Sequence, residues 1–164
     1  MGNFIEGTFR AHGTKDSIHR FIMESLEPPF NGWNGEEEKP YIQFDGETYW
    51  MMFPNAYLDG TSGQFIKPKY NPFEVYNVNP EKEDSDWYMF VCDYLGQWEI
   101  DCEGIVRLAK EYCVGIRVNG YDCNTMKEEL LEVNSDGEVT QYHIETYRNV
   151  KDWLWNCPMP NLGG

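Results

Sequence analysis

The first 30 positions carry an alternating pattern and then a helical one, which together predict a strand followed by a helix. Residues 3–11 alternate between apolar and polar side chains, and Gly7 is placed to bend that strand. Thr14 or Asp16 is suited to cap the helix at about 15–26, and two consecutive prolines end it. The helix has one apolar stripe, formed by Ile18, Phe21, Ile22 and Leu26.

The middle of the chain combines a hairpin signal with an irregular stretch. Two short apolar runs, 41–44 and 48–53, flank Asp45-Gly46, a dipeptide that favours tight hairpin turns. Residues 54–80 hold four prolines and scattered aromatic side chains with no regular period. We therefore expect a packed, irregular, aromatic and proline-rich insertion at about 54–80.

The second half shows a more regular pattern of the same kind. Residues 87–95 are almost continuously apolar, which predicts a strand in the centre of a sheet. Asp101 is suited to cap a helix at 102–112, and a strand at 114–118 follows. The apolar stripe of this helix consists of Cys102, Ile105, Leu108, Ala109 and Tyr112. Further on, the turn residues 134–137 separate two strand-like runs and predict another hairpin.

These elements predict a single α+β domain over residues 1–164. Two helices among mostly antiparallel strands pack best on one face of the sheet, and the ferredoxin-like arrangement is the nearest common plan. A C-terminal tail at about 149–164 contains Trp153 and Trp155. The tail either folds back over a sheet edge or presents an aromatic anchor to a partner.

The charge of the chain restricts its partners. There are 13 Lys and Arg residues against 28 Asp and Glu residues, a net charge of −15. Direct binding to nucleic acid is disfavoured because phosphate contacts need clustered cations. The sequence has no apolar run of the ~18–20 residues that a membrane span needs, and it begins without a signal-peptide pattern. We expect a cytoplasmic protein that does not bind membranes.

The cysteines and histidines predict neither a cofactor nor a catalytic centre. Five cysteines, an odd number, favour reduced thiols, and their wide spacing lacks the close pairs of zinc sites. We interpret Cys92, Cys102, Cys113, Cys123 and Cys157 as packing residues. The three histidines are isolated in the sequence, and no nucleophile or phosphate-loop motif is present. We therefore predict no catalytic residue, no metal and no cofactor.

The acidic residues concentrate in the second half, where aromatic residues lie among them. Residues 83–164 have a net charge of −10, against −5 for residues 1–82. One interpretation is a solvated, solubilising surface; the other is a surface that mimics the nucleic-acid backbone and binds a basic protein. For the second we predict partner contacts by Asp84, Asp86, Asp93, Glu99, Asp101, Glu103, Glu128, Glu129 and Glu132.

Several local features resemble the YubB-like, ferredoxin-like proteins of phages and plasmids. They are Gly2-Asn3-Phe4 in the first strand, Gly13 before the first helix, Trp98 ahead of the second helix, and Gly115 and Gly120 in a strand before an acidic hairpin. The resemblance covers residues 2–26 and 87–147. It implies a fold and a mobile-element setting, and it brings no catalytic residues.

Three classes of function are compatible with these observations. The favoured one is a small acidic protein that inhibits a basic nucleic-acid-binding protein or nuclease of the host, as a counter-defence protein of the anti-CRISPR or anti-restriction type. The alternative is a homo-oligomeric structural or regulatory module of a mobile element. The third is an enzyme that uses clustered carboxylates on a cationic or metal-bound substrate.

Overall fold

The predicted first strand and helix are present. The computed structural model describes residues 3–29, 41–81 and 87–156, and in it β1 (Phe4–Gly13) leads through Thr14 into α1 (Lys15–Ser25). Thr14 is the cap, because its hydroxyl accepts a hydrogen bond from the backbone N–H of Ser17 at 3.1 Å. The helix passes directly into a short strand, β2 (Leu26–Glu27).

The remaining described residues form further strands and two more helices. They are β3 (Ile42–Phe44), β4 (Tyr49–Met51), β5 (Ala56–Leu58), β6 (Gln64–Lys67), β7 (Tyr76–Asn77), β8 (Tyr88–Gln97), α2 (Cys102–Tyr112), β9 (Gly115–Asp122), β10 (Lys127–Val133), β11 (Val139–Thr146) and α3 (Val150–Asn156). The chain is therefore an α+β protein, as predicted. The predicted hairpin around Asp45-Gly46 is confirmed, since β3 and β4 pair as a separate two-stranded sheet.

Within the described residues, nine strands form one antiparallel sheet. Its order is β11-β10-β9-β1-β8-β6-β5-β2, and β7 pairs with β8 beside this path. β1 lies at the centre, with Phe9 opposite Cys92 of β8 and Val118 of β9. β8 lies between β1 and β6, which confirms the predicted central strand at 87–95.

The expectation of an irregular insertion at 54–80 is wrong where β5, β6 and β7 extend the large sheet. Ala56, Leu58 and Ile66 of these strands are buried in the core. Strands of two to four residues, separated by proline and glycine, are too short to show a two-residue period in the sequence. β6 and β7 pair with β8, which comes later in the chain, and β5 pairs with β6 and β2.

The large sheet has a covered face and an open face. Phe9 lies on the covered face, where its ring stacks on Phe21 of α1 at 5.9 Å, and Phe21 meets Tyr112 of α2 edge-on at 5.8 Å. The open face carries the alternate residues of β1, which include Thr8 and Arg10. The apolar stripes predicted for the helices are confirmed by the burial of Ile18, Phe21, Ile22, Ile105, Leu108 and Ala109.

The described part of the C-terminal tail packs on the open face. Trp153 of α3 is buried, with its ring 6.3 Å from that of Tyr121 and 5.5 Å from that of Tyr147. Tyr121 aligns with Glu6 of β1, so α3 lies beside the end of β9 rather than along the edge strand β11. Trp155 is 88% exposed. The rest of the predicted tail, 157–164, lies outside the described residues.

The cysteines divide by environment. Cys92 is buried in the core, as the packing interpretation requires, and Cys102 and Cys123 are half-buried. The interpretation is wrong for Cys113, which is exposed and ends α2 in a left-handed conformation with φ of 54°. Cys157 lies outside the described residues. None of the helices in the described parts of the chain is long and apolar enough to cross a membrane.

Candidate protein-binding surface

Three of the predicted contact residues on the strands, Asp93, Glu128 and Glu132, lie on the open face. Asp93 is opposite Thr8 of β1, and it is exposed. Glu132 of β10 is opposite Arg117 of β9, and its Oε2 accepts a hydrogen bond from the Arg117 guanidinium at 2.7 Å. Glu128, also on β10, accepts hydrogen bonds from the side chains of Asn119 and Tyr147. Asp84 and Asp86 lie outside the described residues.

Glu129 has a different environment from its neighbours. Its side chain is 0% exposed on the covered face. One carboxylate oxygen, Oε2, accepts the backbone N–H of Ile100 at 3.0 Å, and the other, Oε1, pairs with the ammonium of Lys127. This carboxylate holds the segment before α2 in place and is not presented to a partner. The prediction that Glu129 contacts a partner is therefore not supported by its position.

Asp101 has mainly a structural role at the beginning of α2. Its Oδ1 accepts the backbone N–H of Gly104 at 3.0 Å, which confirms the predicted cap, and its Oδ2 accepts the N–H of Ser62 at 2.7 Å. The buried Gln64 side chain donates to the carbonyls of Ser62 and Glu99 at 2.8 and 3.2 Å. These bonds fix the loop before β6 against the helix and hold the neighbouring carboxylates on a rigid base.

Trp98 projects from this base into solvent. It is 62% exposed, and its backbone has φ of 68°, a left-handed conformation that costs a residue with a Cβ about 1–2 kcal/mol. A hydrogen bond of 2.9 Å from its N–H to the carbonyl of Asn3 holds that conformation. Glu99 follows directly and Glu103 lies in the first turn of α2, both exposed. The backbone of Trp98 is thus fixed in a segment that exposes an indole and two carboxylates.

The electrostatic environment of this region is negative. Burial raises the pKa of Tyr142 on β11, and Glu129, Cys102 and Glu99 raise it further, while Lys127 opposes them. Burial also raises the pKa of the Cys102 thiol, with Asp101 and Glu103 adding to the shift. Tyr142 aligns with Leu131, and Ile144 on the same side of β11 aligns with Glu129, which bonds to Ile100 just before α2; this register brings Tyr142 near the beginning of α2. We define the acidic-aromatic surface as Trp98, Glu99, Cys102, Glu103 and Tyr142.

The acidic-aromatic surface is suited to binding a cationic protein surface. Carboxylates pair with Lys and Arg, and exposed indole and phenol rings accept the same cations over their faces. Trp and Tyr also supply most of the binding energy in protein interfaces when a polar rim surrounds them. Among the residues that the structure describes, no group of three or more His, Cys, Asp or Glu side chains is arranged to hold a metal ion.

The acidic residues of this surface are evident in the sequence, but its shape is not. Tyr94 and Trp98 both lie among the acidic residues of the second half, and of the two Tyr94 is buried and donates a hydrogen bond to Gln64. The signal that separates them is position, because Trp98 follows the last residue of β8 while Tyr94 lies inside the strand. Searches of family models, curated proteins and solved structures found no significant match to this chain.

Proposed function

We propose that the protein is a small acidic binding protein that inhibits a basic nucleic-acid-binding protein or nuclease. The observation that carries the proposal is the acidic-aromatic surface, in which the backbone of Trp98 is held at φ of 68° just ahead of the exposed carboxylates of Glu99 and Glu103. An indole in this position serves as an anchor, while Glu99 and Glu103 supply the charged rim. The net charge of −15 speeds association with a cationic partner through long-range attraction.

Mimicry of nucleic acid is the mode of inhibition that fits this charge. Duplex DNA presents one negative charge per ~1.7 Å of its axis, and basic grooves are adapted to that density. Asp93 and Glu128 on the open face add to the carboxylates of the acidic-aromatic surface, and neither forms an ion pair with a described residue. The partner's groove would then contact the α2 end of the molecule first and the open face second.

The proposal includes a ferredoxin-like core and a phage or plasmid origin of the YubB-like kind. Strand order β9-β1-β8-β6 supports the core, because α2 connects β8 to β9 across β1, and β6 lies parallel to β1 with β8 between them. The chain reaches β6 from β1 through α1 and the strands β2 to β5. Both helices on one face of the sheet would agree with the contact between Phe21 of α1 and Tyr112 of α2 and with the usual right hand of crossovers. A counter-defence protein of this origin acts in the cytoplasm of a bacterial host.

The first experiment identifies the partner and then tests the anchor. The tagged protein captures its partner from bacterial lysate for mass spectrometry, and surface plasmon resonance gives the rates of the purified pair. Trp98→Ala is expected to weaken binding by ~30-fold or more, mainly through faster dissociation. Trp155→Ala is the matched control, since Trp155 is 88% exposed but lies on α3. If Trp98→Ala and Trp155→Ala weaken partner binding equally, Trp98 is not the anchor.

A second experiment tests the local charge against the total charge. The triple variant Asp93→Lys, Glu99→Lys and Glu103→Lys is expected to slow association and to reduce its dependence on salt. The control is Glu47→Lys, Glu74→Lys and Asp136→Lys, which changes the net charge equally at exposed positions elsewhere. If both triple variants change the association rate equally, these carboxylates only keep the protein soluble and do not form a specific contact surface.

The alternative, a homo-oligomeric module, is favoured by the edge strand β11. All eight of its residues are exposed, and Val139, Tyr142 and Ile144 form an apolar row on it. An antiparallel pairing of two copies centred on His143 would place Tyr142 opposite Ile144. Salt separates the two functions, because screening weakens a complex with a basic partner and strengthens a dimer of two acidic chains. Analytical ultracentrifugation at 50 and 500 mM NaCl measures this difference.

A further inference from the structure

Two arginines face each other in the middle of the open face. Arg10 of β1 and Arg117 of β9 are direct register partners, and directly opposed like charges destabilise a sheet. Arg117 is neutralised by Glu132, with 2.7 Å between guanidinium and carboxylate. Within the described parts of the chain, Arg10 forms no ion pair. A chain with a net charge of −15 therefore keeps an uncompensated cation beside another one.

Two aromatic rings lie next to this pair. His12, two residues after Arg10 on the same side of β1, stacks on Trp87 with 4.3 Å between ring centroids and an interplanar angle of 9°. Trp87 remains 48% exposed, so part of its indole faces solvent. Burial lowers the pKa of His12 and outweighs the opposing effect of Glu132, so the imidazole is neutral at pH 7.

The arginines and the stacked rings line the same cleft. It has a volume of about 250 Å³, and Met89, Ile116 and Val133 contribute apolar wall. Two of its polar side chains are already engaged: Asn134 bonds to the turn residues Asp136 and Glu138, and Thr140 bonds to Glu132. The Arg10 guanidinium is thus the polar group that remains for a ligand. The volume suits a compound of one or two fused rings rather than a polymer.

We propose that this cleft, lined by Arg10, His12, Trp87, Met89 and Arg117, binds a small planar aromatic compound that carries one anionic group. The ring lies against the Trp87–His12 stack and the apolar wall, and the anion accepts a bidentate pair of hydrogen bonds from Arg10. Because Glu132 already balances Arg117, the cleft has one surplus positive charge, which favours a ligand with a single anionic group. That group is a carboxylate or a phosphate monoester.

The site does not overlap the acidic-aromatic surface, since none of its residues belongs to that surface. Binding is measured by isothermal titration calorimetry on the full chain, with two pairs of probes. Indole-3-acetate and indole-3-acetamide form the carboxylate pair, and uridine monophosphate and uridine form the phosphate pair. The anionic member of at least one pair is expected to bind with Kd of ~0.1–1 mM, and its neutral analogue at least tenfold more weakly.

Variants locate the binding. Arg10→Gln is expected to weaken binding of the anionic probe at least tenfold, and Arg10→Lys is expected to weaken it less. Trp87→Leu is expected to weaken binding of both members of a pair. Lys67→Gln is the control, because Lys67 is an exposed cation on the same open face but outside the cleft. The proposal is overturned if none of the four probes binds with a Kd below 10 mM, or if the neutral probes bind as tightly as the anionic ones. It is also overturned if Lys67→Gln loses as much affinity for the anionic probe as Arg10→Gln.

Discussion

The two faces of the large sheet share the same strands but are stabilised in different ways. On the covered face, Phe9 packs on Phe21 and Phe90, and burial of apolar area supplies the stability. On the open face, the neighbouring residues Thr8 and Arg10 project from the same strand among charged side chains. The comparison shows that alternation in the sequence separates the part that maintains the fold from the part that is available for binding.

Truncation of one residue on each face should give the largest difference. Phe9→Ala removes a fully buried ring and is expected to lower the free energy of unfolding by about 3–5 kcal/mol. Thr8→Ala, its neighbour on the open face, is expected to change it by less than about 0.5 kcal/mol. Urea denaturation followed by tryptophan fluorescence measures both. Similar losses in the two variants would show that the open face is also a packed surface.

Loss of an ion pair should also destabilise the protein more on the covered face than on the open face. Lys127→Ala leaves Glu129 buried without its cation, and we expect a loss of about 3 kcal/mol. Arg117→Ala breaks the half-exposed pair with Glu132 on the open face, and we expect a loss of about 0.2–1 kcal/mol. Both values come from urea denaturation at low salt. Recovery of stability in the double variant Lys127→Ala, Glu129→Gln would identify the buried charge as the cause.

A side chain at Gly7 should disturb both faces of the sheet, because β1 and β9 approach each other closely at this residue. A Cβ at this position would lie 1.8 Å from the carbonyl oxygen of Asn119, a backbone atom that moves only with its strand. Gly7→Ala is therefore expected to cost about 1–3 kcal/mol. Thermal unfolding by circular dichroism measures the loss, and an unchanged melting temperature would mean that β9 shifts without cost.

His12 should give the smallest effect and one that depends on pH. Burial lowers the pKa of His12 from its ordinary value of 6.5, so the folded protein binds fewer protons there than the unfolded chain. The contribution of His12 to the free energy of unfolding is therefore fully present above pH 6.5, and it is lost as the pH falls through the pKa of the folded state. The free energies at pH 7.5 and 5.5 are compared for the native protein and His12→Gln. The variant is expected to lose less stability on acidification.

Local signals in the sequence predicted the long elements but not how they are arranged. Thr14 and Asp101 cap helices as predicted, since a cap depends only on the next three residues. β5 and β6 were missed because their partners, β2 and β8, are distant in the sequence. The burial of Glu129 was missed for a similar physical reason. It depends on a hydrogen bond from the backbone of Ile100, 29 residues earlier, as well as on the nearby Lys127.

The candidate surface shows the same limit. The sequence placed carboxylates and aromatic rings in one stretch, and Trp98, Glu99 and Glu103 are indeed exposed together. The left-handed backbone of Trp98 could not be predicted, because a tertiary hydrogen bond to Asn3 maintains it. The opposition of Arg10 and Arg117 is likewise a matter of register between strands more than 100 residues apart.

The central position of β1 sets the order in which the protein assembles during synthesis. β1 pairs only with later strands among those described, and the shortest separation, from Gly13 to Tyr88, spans 75 residues. A ribosome adding about 5–20 residues per second needs roughly 4–15 s to supply β8 after β1 has been made. The nascent N-terminal strand and α1 therefore wait with Phe9 and Phe21 exposed to water. Folding dominated by such distant contacts is slow, and the acidic chain that emerges meanwhile repels its own copies.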